Sequence, residues 1–410
     1  MVYFDLDFLT DYLVTGLLCI AALAALWIAL PYCLRIASIR RFARLHNAHQ
    51  AAGAAEDDSE EAAVEGIPAE LPDLSVIVYS KDSSAGLARL LPQLLEQDYP
   101  GRFEVIVTND GQSTHAEGVV TLLSAKYRNL RMTYVPDEAH ALSRPKLAMT
   151  LGVKAARYDY VLMTNANVVA PSKSWLALMA RHFAEGKEVV IGVCDPVGPE
   201  GAPEKPMAAF NTLADTATYL VAAIAGKPYR GNAFNMAFLR RKFFDNHGFA
   251  KAVGFHHGID DIFLSQIADG DNTAVEITPQ AIAKLECHDV RVHHLISKMQ
   301  HLFTGKHVSR GSRRFFGFGS LMAWVWLAAT VGAGVLSFPN LLPLCISVGI
   351  GIAWMIVAAV TWRRCGRALG IKAGVGFLAV RMFARPISNM IYKLRSRSSK
   401  SSNYTWAKGY

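Results

Sequence analysis

Cysteine is scarce in this chain and poorly placed for cross-linking. The six cysteines among 410 residues, Cys19, Cys33, Cys194, Cys287, Cys345 and Cys365, include no CxxC pair and no even spacing. That excludes a disulfide framework and a cysteine-built zinc site, and it fits a reducing compartment. Three of them, Cys19, Cys33 and Cys345, sit in apolar segments where packing accounts for them. Metal-type histidine spacing is also missing. His288, His293, His294, His301 and His307 crowd one region, yet adjacent His293 and His294 face different directions on any regular element, and no HxxxH pair stands beside a carboxylate. No RNP-like, helix-turn-helix or zinc-finger spacing accompanies the net charge of +8, so nucleic acid is not an expected partner. The basic start and short apolar core of a cleaved signal peptide are absent as well.

What is abundant is apolar surface. Hydrophobic residues make up 52% of the chain and mean hydropathy is +0.21, so one large soluble domain with membrane segments is expected. Residues 12–34 form an almost uncharged stretch, preceded by Asp5, Asp7 and Asp11 and followed by Arg35, Arg40, Arg41 and Arg44. A bilayer takes about 20 such residues. Further candidate spans cover 318–338 and 341–362, joined at Pro339 and Asn340 as a tight hairpin. The flanking basic residues place the large domain in the cytoplasm and suit anionic lipid. Segment 371–392 carries Lys372, Arg381, Arg385 and Pro386 and reads as an interfacial helix, ahead of a basic, Ser-rich, disordered tail from 393. Residues 51–70 are rich in Ala, Glu and Asp, as a solvated linker is. The expected organisation is an N-terminal transmembrane helix in 1–34, a basic then acidic linker in 35–70, and a cytoplasmic domain in 71–315. A transmembrane hairpin in 316–362 and an amphipathic segment with basic tail in 363–410 follow, in a multi-pass protein of the inner (plasma) membrane.

Inside 71–315, β-branched runs at 74–79, 103–108, 158–164 and 189–193 alternate with helical stretches such as 87–97 and 146–157. The alternation predicts an α/β fold, a mainly parallel sheet with crossover helices, plus about three transmembrane helices. Ligands of such sheets bind beyond the carboxyl ends of the strands. At those ends, Asp82 and Asp110 can accept hydrogen bonds from a uracil imide and a ribose hydroxyl, and they equally suit turn caps. Lys146, and more weakly Arg144, can neutralise a diphosphate at a helix N-terminus or stand solvated on the surface. Asp260-Asp261 before an apolar run is either a reactive carboxylate pair or an ordinary helix start.

Several segments occur in a telling order: Glu104-Val105-Ile106-Val107-Thr108-Asn109-Asp110-Gly111, Ser143-Arg144-Pro145-Lys146-Leu147-Ala148, Thr164-Asn165-Ala166-Asn167, Gly226-Lys227-Pro228-Tyr229-Arg230-Gly231 and Gly258-Ile259-Asp260-Asp261-Ile262-Phe263. Over about residues 72–305 the series resembles the family 2 inverting glycosyltransferases, which have a GT-A fold, and most of all their membrane-bound polysaccharide-assembly members. The resemblance implies that Asp260 is the general base, or Asp261 if the register shifts by one. It makes Asp82, Asp110, Lys146, Arg144, Asn165 and Asn167 donor-binding, and places Gln300 and His301 on the acceptor and diphosphate side. Asn165 and Asn167 stand where the family has metal-binding aspartates. Their neutral oxygens bring no charge to an ion whose dehydration is unfavourable, so Mg²⁺ or Mn²⁺ should bind weakly at Asn167 or be absent. Ile259 replaces a glutamate and Gln300 an arginine, so every departure removes charge aimed at a metal or a diphosphate.

The function so implied is that of a membrane-bound, hexosyltransferase-type inverting enzyme. It would move a sugar from a nucleotide-sugar, a UDP-sugar first, to a glycan or lipid-linked acceptor in polysaccharide synthesis. The charge losses keep open an alternative, a non-catalytic GT-A-like subunit or scaffold of an assembly complex. Membrane lipids, other polysaccharide-assembly proteins and further copies of the chain are candidate partners. A transporter is a poor reading, since three spans without buried charge offer no pathway.

Overall fold

The computed structural model describes residues 6–51, 67–111, 114–136, 143–199, 206–308, 310–371 and 374–398. Residues 52–66, most of the acidic part of the expected linker, and the tail beyond 398 lie outside them. Two compact units emerge, one from Met1–Arg40 with Arg310–Arg395 and one from Arg41–Ser309 with Ser396–Tyr410. Helix α1, Leu6–Ala51, continues straight through the basic cluster. The first part of the expected linker is therefore helical, because Ala, Leu and Arg, all strong helix formers, dominate it.

In the larger unit, β1 (Leu74–Ser80), α2 (Ser84–Leu95), β2 (Phe103–Asn109), α3 (Thr114–Ser124), β3 (Leu130–Tyr134), α4 (Arg144–Ala155) and β4 (Tyr160–Asn165) alternate as strand and helix. β1 pairs in parallel with β2 on one side, Ser80 opposite Asn109, and with β4 on the other, Tyr79 opposite Asn165. Three carboxyl ends thus lie abreast, with the chain leaving β1 toward one neighbour and reaching the other only later. That reversal opens a crevice for a ligand. Helices cover both faces, so the strands are continuous apolar runs, and Val76, Ile77, Val78, Val105, Val107 and Leu162 have almost no exposure. Helix α4 lies directly on the sheet at Gly152, where a Cβ would stand 2.4 Å from the Ile77 Cγ2 methyl.

The chain continues through β5 (Val168–Val169), α5 (Trp175–Ala184), β6 (Val189–Ile191), β7 (Cys194–Val197), α6 (Pro206–Ile224), β8 (Met236–Leu239) and α7 (Arg240–Asp245). After a π-type turn at Ile259–Phe263 come α8 (Leu264–Ile267), β9 (Thr273–Val275), β10 (Ala283–Glu286) and α9 (Val290–Thr304). The seven-stranded sheet is ordered β3-β2-β1-β4-β8-β6-β9 and is parallel except for β8. A small second sheet, β5-β10-β7, closes over the end of β4. The run 189–193, expected as one strand, is a strand of the large sheet only to Ile191, and the chain enters the second sheet at Cys194. Between them Gly192 passes so near Asn235 that a Cβ would lie 2.6 Å from its amide.

The other unit holds α10 (Arg310–Leu336), α11 (Leu342–Ala368) and α12 (Val375–Ser398) beside the start of α1. Two segments are long and apolar enough to cross a membrane, Thr10–Trp27 within α1 and Leu342–Ala368. The third expected span contributes a shorter apolar stretch, Leu321–Leu336. Helices α10 and α11 meet through small and polar side chains: Trp326 fills the space over Gly351, and the Thr330 and Ser347 hydroxyls bond at 2.6 Å. Helix α12 runs to Ser398, so the start of the expected disordered tail is helical.

Candidate functional site

Beyond the ends of β1, β2 and β4, the side chains are held by one another. Asp110 is buried, and its carboxylate accepts the Tyr79 hydroxyl at 2.9 Å while pairing with the Arg144 guanidinium. Burial and the Asp110 charge push the Tyr79 phenol well above its ordinary pKa, so it remains a donor. Asp82 is exposed, has a left-handed backbone (φ 49°) and accepts Asn109 Nδ2 at 3.3 Å. Three buried polar atoms at this edge, Asn109 Oδ1, Ser143 Oγ and Thr164 Oγ1, have no hydrogen-bond partner among the described residues. Native folds rarely leave such atoms orphaned, and their clustering marks where a polar ligand would dock.

The asparagine pair is occupied differently. Asn165 Oδ1 accepts the backbone amide of Asn167 at 2.9 Å, closing its own turn, and Asn167 Oδ1 accepts the Ser83 hydroxyl at 2.6 Å. Helix α2 presses on this turn at Gly86, where a Cβ would lie 2.6 Å from both Ala166 O and Asn167 Oδ1. Neutral oxygens already engaged in hydrogen bonds do not fit a divalent cation.

Lys146 differs from both sequence readings. It is fully buried, and its Nζ donates to Ala252 O at 2.5 Å and to Phe255 O, so the ammonium is spent on backbone carbonyls away from solvent. Burial depresses its pKa to about 8, with Asp261 partly offsetting the effect. The amine instead ties down the loop leading into the acidic pair.

That pair sits on the π-type turn, whose Phe263 amide reaches back to Gly258 O, and Gly258 takes a left-handed φ of 113°. The extra residue in the turn sends its two carboxylates to different partners. Asp261 is buried and committed, one oxygen accepting the Ile262 amide at 2.6 Å and the other the Thr304 hydroxyl. Burial and the neighbouring Asp260 charge raise its pKa. Asp260 is half-buried, and its Oδ2 meets His301 Nε2 at 3.1 Å. Burial alone would raise the Asp260 carboxyl, but the charge and hydrogen bond of His301, with Arg230 behind them, hold it below the usual value. Burial and Arg230 oppose protonation of His301, yet Asp260 and Asp215 outweigh them and raise the imidazole. Both shifts favour the paired, charged state, in which His301 Nε2–H would donate to Asp260. Potential ligand atoms on Asp260, Asp261 and His301 lie within 4.8 Å of one another, a spacing a metal could use.

A cavity of about 360 Å³ joins these parts. Tyr79, Thr164 and Asn165 line it at the strand ends, and Asp260, Gln300 and His301 line it across from them. Of the sequence-derived candidates, Asn165, Asp260, Gln300 and His301 border this space, while Asp82, Asp110, Arg144, Lys146, Asn167 and Asp261 do not. Sequence reading missed Asp215 on α6 and gave no role to Arg230 within the Gly226–Gly231 segment; the two form an ion pair in the cavity wall. Burial works to raise the Asp215 carboxyl, but Arg230 brings it down to about 2. His257 was missed as well, and His294 was weighed only as a metal ligand; both are held at about 4 chiefly by burial. No local pattern announces that Arg230 and Asp215 pair.

Residues 75–248 match the sequence profile of Glycosyl transferase family 2. No curated protein sequence matches the chain. Among solved structures, the mannosyltransferase PcManGT from Pyrobaculum calidifontis, in complex with GDP-Man and Mn²⁺, aligns with a TM-score of 0.49 at 17% identity, over 89% of this chain and 98% of that one. S. aureus TarS 1-349 in complex with UDP-GlcNAc aligns with a TM-score of 0.40 at 13% identity, over 79% and 89% of the two chains.

Proposed function

We propose, from the premise that residues 75–248 are a family 2 glycosyl transferase domain, that this chain is a membrane-bound inverting glycosyltransferase. It would transfer a sugar from a nucleotide-sugar, a UDP-sugar first, to a glycan or lipid-linked acceptor. The observation that carries this reading is Asp260, an ionised carboxylate in the cavity wall, facing strand ends whose polar atoms await a ligand. In the proposed step, the carboxylate takes the acceptor hydroxyl proton as that oxygen bonds to the anomeric carbon. The bond from that carbon to the nucleoside diphosphate breaks on the opposite face, and the diphosphate carries the electron pair away. His301 holds Asp260 Oδ2 and so orients the carboxylate in the cavity wall. Lys146 and Thr304 act as positioning residues, one through the preceding loop and one through Asp261.

The step as proposed does not call on a metal: the oxygens of Asn165 and Asn167 are neutral and engaged, and Asp260 Oδ2 is already paired with His301. The apolar segments of α1 and α11 support a membrane anchor, and the basic flanks support a cytoplasmic domain and an inner-membrane location. One observation favours a second reading, a non-catalytic subunit of an assembly complex, because the engaged asparagine oxygens also suit a retired donor site.

Two experiments separate the readings. Titration of the detergent-solubilised chain with UDP or UDP-sugars should give binding that changes less than about threefold between Mn²⁺ and EDTA, whereas no binding to any nucleoside diphosphate favours the subunit. Replacing Asp260 by asparagine should lower transfer by about 10²–10⁴-fold with nucleotide affinity kept, as loss of a general base does. Retained turnover would move the base elsewhere.

A further inference from the structure

Arg230 lies between β7 and β8 and is 6% exposed, yet it borders the cavity. One terminal nitrogen pairs with Asp215, and the guanidinium carbon sits 5.4 Å from the Tyr219 ring centroid. Its Nε–H is buried and has no hydrogen-bond partner among the described residues. A guanidinium carries five donors in a planar fork, and leaving one desolvated and unmet is unfavourable unless something arrives to accept from it. The loop holding Arg230 is fixed to the acidic turn, since the next amide, Gly231 N–H, donates to Asp260 O at 2.7 Å. His301, drawn toward its charged form, stands against the same turn.

The opposite wall contributes by what it lacks. At the strand ends the cavity meets Thr164 and Asn165, neutral groups that would not repel an anion as a carboxylate would. An anionic group can therefore enter without a cation to screen it.

We infer that this cavity binds an oxyanion, a phosphate or carboxylate group of a substrate, through the Arg230 guanidinium with His301 beside it. The site already contains matched charges, Arg230 with Asp215 and His301 with Asp260. Recognition accordingly comes from the unmet N–H of a buried guanidinium more than from net charge, and Asp215 competes with the ligand for the same guanidinium. The inference rests on the glycosyltransferase reading only for which substrate supplies the group, the diphosphate of a donor or the carboxylate of an acidic sugar. The shared chemistry is a planar or tetrahedral oxyanion taken by a fork of N–H donors.

The test is calorimetric titration of the full chain in detergent, at fixed ionic strength, with pyrophosphate, UDP, glucuronate and uncharged uridine. Wild type should bind at least one of the three anions. Arg230→Lys keeps a charge opposite Asp215 but removes the Nε donor, and it should weaken anion binding by about tenfold or more with the melting temperature nearly unchanged. Asp215→Asn frees the guanidinium and should tighten anion binding several-fold, an effect a purely structural ion pair would not give. Tighter binding of pyrophosphate and UDP points to the donor, and of glucuronate to an acidic acceptor. Failure of all three anions to bind folded wild type overturns the inference, as does equal affinity in Arg230→Lys or unchanged affinity in Asp215→Asn. Uridine distinguishes the two claims: uridine binding with no anion response leaves the glycosyltransferase reading standing and removes this one. Pyrophosphate binding with neither uridine nor UDP does the reverse.

Discussion

Replacing Lys146 by methionine sets two effects of known sign against each other. Methionine fills about the same volume, relieves the chain of a buried ammonium, and leaves Ala252 O and Phe255 O without their donor. A lysine whose pKa falls from 10.5 to about 8 on folding is held charged at pH 7 against about 3 kcal/mol, at 1.4 kcal/mol per unit. Two buried carbonyls left unmet cost about 1–3 kcal/mol each. At pH 7 the terms nearly cancel, and the variant should melt close to wild type or modestly below it. Between pH 8 and 10.5 the unfolded wild type holds a proton that the folded chain has released, so wild-type stability rises with pH there. The variant lacks that rise. From pH 7 to pH 9 the gap should widen by about 1.4 kcal/mol, or about 3–6 °C in melting temperature for a domain of this size. Thermal unfolding of both proteins in one detergent at the two pH values measures it, and other titrating groups cancel in the difference. A gap that stays constant or narrows would refute the buried strut. A lysine facing phosphate would instead weaken UDP binding and leave the pH dependence alone.

Three further outcomes are expected. Asp261→Asn should keep turnover within about tenfold of wild type, since its carboxylate holds Ile262 and Thr304 and does not line the cavity that Asp260 lines; a loss matching that of Asp260→Asn in a transfer assay would assign the base to Asp261. Gly86→Ala places a methyl 2.6 Å from Ala166 O, so it should lower the melting temperature by several degrees and weaken nucleotide binding measured by titration. His257 and His294 are neutral in the folded chain down to about pH 4, while unfolded histidines protonate near 6.5, so stability should fall as pH drops through that window. Melting curves at pH 7.5 and 5 should show the fall, and His294→Gln should make it shallower.

Much of the architecture was legible because its signals are local. Val76 to Val78, Val105 to Val107 and Val161 to Met163 are apolar on consecutive residues, which marks strands covered on both faces, and the helices between them make the sheet parallel. The end of the fourth run at Ile191, two residues early, was not legible, because Gly192 there passes close to the distant Asn235. Asp260 and Asp261 were found together as adjacent carboxylates. Which of them faces the cavity is settled by a π-type turn that no residue pattern in the sequence announces.

The first strands and crossover helices, the apolar segments, and the neutral triplet Asn165-Ala166-Asn167 at the end of β4 follow from neighbouring residues and were readable from the chain alone. The distribution of charge at the site came from folding. Lys146 finds its carbonyl partners 106 residues away, His301 meets Asp260 across 41, and Arg230 pairs with Asp215 across 15. A charge has no periodicity to betray its partner. What it pairs with, and so whether it can meet a substrate, is fixed by which distant groups share its desolvated surroundings.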